Sequence, residues 1–323
     1  MTSSRSTLLQ GVTCAALATL CWACNFIAPY VLQGYGVADF MLVRFIMAGV
    51  LGAVLLPFYR TQLHGLSPRQ WLTGMGLGVL GYLAYSSCIA GGVIYGGPLL
   101  IAAFIGAVPV LQALLGNAQH RSLRWSQLVM PIGALGLGLL LINLALLNPS
   151  SGAALQVGAG LAFSLSAVLL WLSFSIINQA TMEHLPSRAT AAWTCLMMIG
   201  AGLAASLLTS VAWATNRLHL PATGMATPDA LHFYGWAFLI ALCSSVVGAW
   251  AWNFASQRLP MVLSGQLIAL ESFFATVLGL AFHGRWPSAA EAVGLALLLF
   301  GTAYAVRIIL APTPNVCQQP AGR

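Results

Sequence analysis

Long apolar blocks separated by short polar stretches dominate this chain. A membrane-spanning helix needs roughly 20 mostly apolar residues. By that criterion the pattern predicts ten spanning helices, at residues 9–31, 38–59, 71–92, 97–118, 126–147, 156–178, 188–212, 232–255, 262–282 and 289–310. Polar and turn-forming residues mark the breaks, as in YRTQLHGLSPRQ (59–70) and MEHLPSR (182–188). The pattern therefore predicts an all-α polytopic membrane protein.

The composition excludes a water-soluble domain. Of the 323 residues, 5% are charged and 59% are hydrophobic, with a mean hydropathy of +0.89. Soluble domains carry about 25% charged residues. Polar side chains are too few here to cover a water-exposed surface, so lipid must be the solvent for most of the chain.

The arginines predict the orientation of the spans, since the chain contains no lysine. Cytoplasmic loops of membrane proteins are enriched in basic residues. Arg44 falls within the second span, and the opposite side holds only Arg217 and Arg285. The side of the N-terminus holds Arg5, Arg60, Arg69, Arg121, Arg124, Arg188, Arg258, Arg307 and Arg323. Both termini are therefore expected in the cytoplasm. The net charge of +7 would also suit a nucleic-acid partner, but the arginines are scattered and form no basic patch, so none is expected.

The cysteines give little sign of metal or redox chemistry. The stretch CWAC (21–24) has the spacing of such a motif, but no second pair and no nearby histidine supports it. We expect small buried packing residues instead, and neither a metal nor a cofactor. The N-terminal run lacks a clear cleavage site, so we expect a retained first helix rather than a signal peptide.

An internal repeat divides the chain near residue 150. RWSQLVMPIG (124–133) matches RWPSAAEAVG (285–294), and IGAVPVLQALLG (105–116) matches IALESFFATVLG (268–279). Trp22 also falls opposite Trp171. Because each half contains five spans, the second half enters the membrane upside-down, as in many secondary transporters whose site lies near the midplane. The alternative is a chance likeness between apolar helices.

The residues of both halves resemble the EamA-domain family of the drug/metabolite transporter superfamily. The first half follows that family's Trp-x-x-Asn-Phe opening with Trp22, Asn25 and Phe26, and its Arg-Phe pair with Arg44 and Phe45. The second follows it in ALESFFATVLGLAFHGRWPSAAEAVG (269–294). Two departures are Ser272, where the family usually has proline, and Arg285, which stands at a Gly-Glu position.

The resemblance implies a domain organisation and an activity. It implies two inverted five-helix repeats, 9–147 and 156–310, with cytoplasmic tails at 1–8 and 311–323. Family members mostly export amino acids or small metabolites, often by proton antiport, and others move sugars, vitamins or toxic compounds.

Two charged residues are the main candidates for a transport site, since ionisable groups inside a span are costly and usually face a partner or a water-filled cavity. Glu271 is expected to bind a substrate ammonium or exchange a proton; the alternative is a fixed partner for an arginine or a helix end. Arg44 is expected either to contact a substrate carboxylate or to act as an anchor or gate. Asp39 and Glu291 lie near span ends, where we expect them in headgroup water.

Buried amides and aromatic residues complete the candidate set. Asn25 and Asn253 are costly to bury without a purpose, and Gln112 offers a further amide. The aromatic candidates for cavity lining are Trp22, Tyr82, Trp171 and Trp250, with packing as the alternative for each. Proline residues inside apolar runs, Pro29, Pro109 and Pro131, can open hinges.

Together these features predict a secondary transporter that exports amino acids or related small metabolites by alternating access, with possible coupling to protons. The alternatives are a carrier for another small metabolite or a toxic cation, and a membrane scaffold without transport activity. An enzyme is not expected, because the six histidines lie in loops or at span ends and no Walker motif is present. The expected partners are a small-molecule substrate and the lipid bilayer, in a monomer or homodimer of a bacterial inner membrane.

Overall fold

Long apolar helices form the architecture of this protein. The structure is a computed structural model that describes residues 5–26, 31–32, 34–63, 66–120, 123–145, 156–220, 224–225 and 228–310. Within these ranges ten helices are long and apolar enough to cross a membrane. We number them spans 1 to 10: Arg5–Phe26, Val37–Leu63, Pro68–Gly97, Leu100–Gln119, Trp125–Ile142, Gly158–His184, Ser187–Ala214, Pro228–Ser256, Met261–Phe282 and Ala289–Leu310. The predicted spans are thus confirmed and differ only at their ends.

Most spans are built from more than one regular helix. Spans 3 and 4 share the helix Tyr85–His120, which is interrupted at Gly97. There φ is +80°, a left-handed conformation that glycine adopts without steric cost and that allows the chain to reverse. The helices are Arg5–Ala23, Val37–Leu55, Leu56–Tyr59 (3₁₀), Arg60–Leu63, Pro68–Gly78, Val79–Ala84 (π), Tyr85–His120, Trp125–Ala145, Val157–His184, Ser187–Ala189 (3₁₀), Thr190–Ala214, Pro228–Ile240, Ala241–Gly248 (π), Ala249–Ser256, Met261–Leu267, Leu270–Phe282 and Ala289–Leu310.

The two halves of the chain pack against each other through several long helix pairs, and the helix Tyr85–His120 of spans 3 and 4 packs most extensively, against span 6. Span 2 lies along span 7, and span 5 lies along span 10. A Cβ atom added at Gly49 would lie 2.7 Å from the Cα of Gly202, and one at Gly138 would lie 2.8 Å from the carbonyl oxygen of Gly294. Only glycine permits such close backbone approach, so these crossing points place the two halves in direct main-chain contact.

Asp39 and Glu291 differ from the expectation that headgroup water surrounds them, because both side chains are buried. Asp39 accepts hydrogen bonds from the backbone N–H of Gly36 at 3.1 Å and of His219 at 3.2 Å. Glu291 binds both Nη atoms of Arg285 at 2.6 and 2.8 Å. Each carboxylate thus replaces its water shell with protein donors and ties a span to a neighbouring loop.

Candidate functional site

Two π-helical segments shape the middle of the bundle. One, Val79–Ala84, lies in span 3, and the other, Ala241–Gly248, lies in span 8. A π-turn inserts one extra residue into a helix and is frequent at functional sites. The segment in span 8 presents the carbonyl oxygen of Ser244 to the Trp22 indole N–H, 3.2 Å away. This contact fixes Trp22 at the centre of the protein, where it is buried.

Two cavities meet beside these segments. The smaller, which we call the floor, has a volume of about 60 Å³. The larger, which we call the vestibule, has a volume of about 350 Å³. Both are lined by the same five residues, Asn25, Arg44, Tyr85, Ser86 and Glu271, so they adjoin each other. The site therefore has a confined polar base and a wider space above it.

Arg44 and Asn25 form the cationic part of the floor. Nη1 of Arg44 donates a hydrogen bond to Oδ1 of Asn25, whose Nδ2 in turn donates to Oγ of Ser244 at 3.1 Å. The guanidinium carbon of Arg44 lies 4.2 Å from the centre of the Phe45 ring. Arg44 is 6% exposed, and its Nε is buried with no hydrogen-bond partner among the described residues. A buried guanidinium with an unused donor favours an anionic ligand group.

Glu271 is the anionic part of the floor and lies where span 9 is interrupted. The helices Met261–Leu267 and Leu270–Phe282 are joined by a two-residue turn, and Glu271 lies in the first turn of the second helix. Partial positive charge at a helix N-terminus stabilises a carboxylate there. In the part of the chain that the structure describes, neither a hydrogen bond nor an ion pair within 4.0 Å involves this carboxylate. It lines both cavities and is open to a ligand.

A cluster of aromatic rings forms one wall of the site. The ring centroids of Trp22 and Trp171 are 5.6 Å apart in an edge-to-face arrangement, and Trp252 lies 5.2 Å from Trp22. Tyr85 lies 4.9 Å from Trp171. The Trp171 indole N–H donates to Oε1 of Gln112 at 2.9 Å, so Gln112 holds the wall from behind. Aromatic rings packed against one another in this way favour a rigid wall beside the cavities.

Six of the nine residues predicted from the sequence meet at the cavities. Those that line the floor are Trp22, Asn25, Arg44, Tyr82, Trp171 and Glu271. Gln112 is buried behind the aromatic wall. Trp250 is 37% exposed and pairs with Phe254 at 5.4 Å, so it faces outward from the bundle.

Asn253 lies in a separate amide cluster and lines neither cavity. It is fully buried. Its Oδ1 accepts from Nδ2 of Asn178 at 3.0 Å, and its Nδ2 donates to Oγ1 of Thr194 at 2.9 Å. Asn178 also accepts from the indole N–H of Trp193 at 3.1 Å. The cluster joins spans 6, 7 and 8, which is the geometry of a structural connection.

Other features of the site were not predicted from the sequence. Ser86, Ser244 and Ser245 line the floor. Each belongs to a Ser-Ser pair within an apolar span, at 86–87 or 244–245, and neither pair was predicted as part of the site. Trp252, rather than Trp250, belongs to the aromatic wall. Pro109 and Ser272 line the vestibule. Pro29 lies outside the described residues.

The described ranges contain no group of three or more His, Cys, Asp and Glu side chains placed to hold a metal ion.

Known proteins similar to this chain give independent information. The EamA-like transporter family matches residues 9–144 and 158–307. The inner membrane protein YtfF of Escherichia coli (strain K12) is 28% identical over 313 residues, which cover 93% of this chain and 96% of that protein. A protein of known crystal structure matches with a TM-score of 0.67 and 18% identity over 94% of this chain and 99% of its own. The last similarity shows a shared fold.

Proposed function

This chain belongs to the EamA-like transporter family, and on that premise we propose that it is a secondary transporter that exports amino acids or related small metabolites. We further propose that it acts in a bacterial inner membrane, where the name of the similar Escherichia coli protein places that relative. The proposed mechanism is alternating access by two inverted repeats of five spans each, with both termini in the cytoplasm.

The observation that carries this proposal is the presence of opposite charges in one cavity without an ion pair between them. Arg44 and Glu271 both line the floor, and among the described residues no nitrogen–oxygen distance within 4.0 Å joins them. An amino acid offers a carboxylate to Arg44 and an ammonium to Glu271. A single zwitterion thus satisfies both groups, whereas a simple cation or anion satisfies only one.

The vestibule opens towards one end of the bundle, as far as the described residues define it. Its mouth includes Leu32 and Val37, between spans 1 and 2, and Ile94 near the end of span 3. At the end that contains the start of span 1, a Cβ added at Gly11 would lie 2.7 Å from Leu259, so the chain is in close contact there. The cavity at that end, lined by Arg5, Leu9 and Phe254 among others, shares no lining residue with the vestibule. In the orientation that the arginines predict, this is an outward-open arrangement. Export requires a second state in which the packed end opens and loads substrate from the cytoplasm.

Glu271 is the proposed coupling residue. It is the carboxylate of the floor, and a proton taken from outside would neutralise it before the cavity turns inward. Substrate bound from the cytoplasm would then displace that proton. Exchange of one proton for one substrate at the same carboxylate links export to the proton gradient.

Reconstituted protein with the substitution Glu271→Gln tests the proposal. We expect amino-acid transport driven by a pH gradient to be lost, while amino-acid counterflow without a gradient continues at a reduced rate. Glu183→Gln is the matched control, because Glu183 is an exposed acid at the end of span 6 and should leave both activities unchanged. Full gradient-driven transport by the Glu271→Gln variant would contradict the coupling role.

The alternative functions give different results in the same vesicles. A carrier for another metabolite or a toxic cation would show counterflow of that compound and none of amino acids. A membrane scaffold would show no counterflow of either class. Arg44 beside Glu271 favours a zwitterion over a simple cation, because a cation would face like charge in a confined space.

A further inference from the structure

Polar groups are confined to one end of the cavity. Besides the five residues shared with the floor, Ser272 is the one polar residue among those that line the vestibule. Its other lining residues are apolar: Phe26, Leu32, Val37, Phe40, Met41, Ile89, Ala90, Val93, Ile94, Ile105, Val108, Pro109 and Ile268. A ligand that enters this space thus meets two different environments.

This division constrains the shape of a ligand whose charges lie on the floor. The floor, at about 60 Å³, has room for little beyond the charged groups themselves. The rest of the ligand must lie in the vestibule, whose volume of about 350 Å³ is within the range of small-molecule sites. A polar side chain placed there would lose its water without gaining hydrogen-bond partners, which is unfavourable. An apolar side chain would be favoured in proportion to the area it buries.

We propose, on the basis of the transport function proposed above, that the vestibule is a side-chain subsite that selects substrates with an extended apolar group next to the charged head. The substrate class is amino acids with a linear or branched hydrocarbon side chain. Small and polar amino acids occupy the floor but leave the vestibule unfilled.

The mouth of the vestibule limits how far this preference extends. Phe26, Val93 and Ile94 line the cavity and are 53%, 41% and 65% exposed. They form an apolar rim at the surface of the protein rather than a closed wall. A longer side chain therefore passes the rim instead of colliding with it. Affinity should rise with each methylene inside the vestibule and then level off, rather than fall.

The test uses alanine, 2-aminobutyrate, norvaline and norleucine as probes, which differ by one methylene at each step. Binding is followed by tryptophan fluorescence of the purified protein and transport by counterflow in proteoliposomes. Burial of one methylene should tighten binding about fourfold. Glutamine, which is similar in length to norleucine but polar, should bind more weakly than norleucine.

A variant whose side chain fills the subsite distinguishes a change in substrate selectivity from a defect in folding. Ala90 lines the vestibule, so Ala90→Leu should reduce the preference for norleucine over alanine by roughly tenfold or more, through the loss of two or three methylenes of space. Ala53, an exposed residue of span 2, provides the control Ala53→Leu, which should keep the wild-type ratio. A ratio of two substrates does not change when a variant merely folds poorly.

The outcomes distinguish the subsite from the transport function on which it rests. Transport with equal affinity across the series, or with the same ratio in Ala90→Leu as in the wild type, would overturn the subsite and leave the exporter intact. Binding that depends on chain length without any counterflow would support the subsite and overturn the exporter. A preference for glutamine over norleucine would also overturn the subsite.

Discussion

The amide cluster around Asn253 provides a direct test of the distinction between structural and substrate-binding polar groups. The substitution Asn253→Leu replaces the amide by an apolar side chain branched at the same carbon. It removes the hydrogen bonds to Asn178 and Thr194, which measure 3.0 and 2.9 Å, and a bond from Nδ2 to the sulfur of Met197 at 3.4 Å. Because Asn253 is fully buried and lines neither cavity, the loss should affect folding rather than binding.

The magnitude follows from the number of bonds lost. Hydrogen bonds between membrane helices contribute on average about 0.6 kcal/mol each and at most about 1.7. The two bonds to Asn178 and Thr194, which are stronger than the bond to the Met197 sulfur, give a decrease of about 1–3 kcal/mol in the free energy of unfolding. The Nδ2 of Asn178 would also be left without this acceptor in a buried site, which places the expectation in the upper half of that range.

The assay is reversible unfolding in mixed micelles, followed by far-UV circular dichroism, together with the substrate KM in proteoliposomes. A double-mutant cycle with Asn178→Leu isolates the bond between the two amides. Ser264→Ala is the control, since Ser264 is buried and, among the described residues, its hydroxyl donates only to the carbonyl oxygen of Met261 in its own helix. The Ser264→Ala substitution should change the free energy of unfolding by less than about 0.5 kcal/mol. An Asn253→Leu variant with wild-type stability and a raised KM would refute the structural role and restore Asn253 to the substrate site.

Two further predictions concern the packing of the spans and their loops. Gly202→Ala should lower thermal stability and yield of folded protein, because its Cβ would lie 2.5 Å from the Cα of the glycine opposite on span 2; Gly133→Ala, where no atom lies within 4 Å, should be neutral or stabilising when both are compared by thermal unfolding. Asp39→Ala should lower the free energy of unfolding by roughly 1.5–3 kcal/mol, since Gly36 and His219 would lose a charged acceptor; an unchanged denaturation midpoint would show that this connection is not stabilising.

Hydrophobic pattern was sufficient to predict the spans because each must match the thickness of a bilayer, whatever its neighbours are. Charged residues in the middle of a span also predicted the position of the site. Arg44 and Glu271 meet in one cavity, as expected for groups that are too costly to expose to lipid. Asn25 lies beside them, hydrogen-bonded to Arg44. These residues could be predicted because their cost depends on the membrane and not on the details of packing.

Faces of helices were harder to predict, and span 8 shows why. Trp250 and Asn253 were both predicted as site residues, yet neither lines the floor or the vestibule, and Trp252 is the residue in the aromatic wall. The π-segment Ala241–Gly248 precedes them and changes which residues face inward. Nothing in its sequence, ALCSSVVG, marks an extra residue in the turn. Asp39 was likewise predicted to lie in headgroup water. Its hydrogen-bond partner His219 is distant in sequence and is brought close only by the fold, so nothing in the sequence indicates that Asp39 is buried.

The glycine crossings described above have a consequence for how this protein can evolve. At Gly49, Gly202, Gly138 and Gly294 the backbones of two helices already touch. Every amino-acid replacement there adds atoms, so these positions have no conservative substitution. Elsewhere in the bundle a leucine can become a methionine or a valine and the neighbours can adjust. Glycine is thus the least replaceable residue at these helix crossings, although it has no side chain. We expect these four positions to change more slowly during evolution than the rest of the bundle.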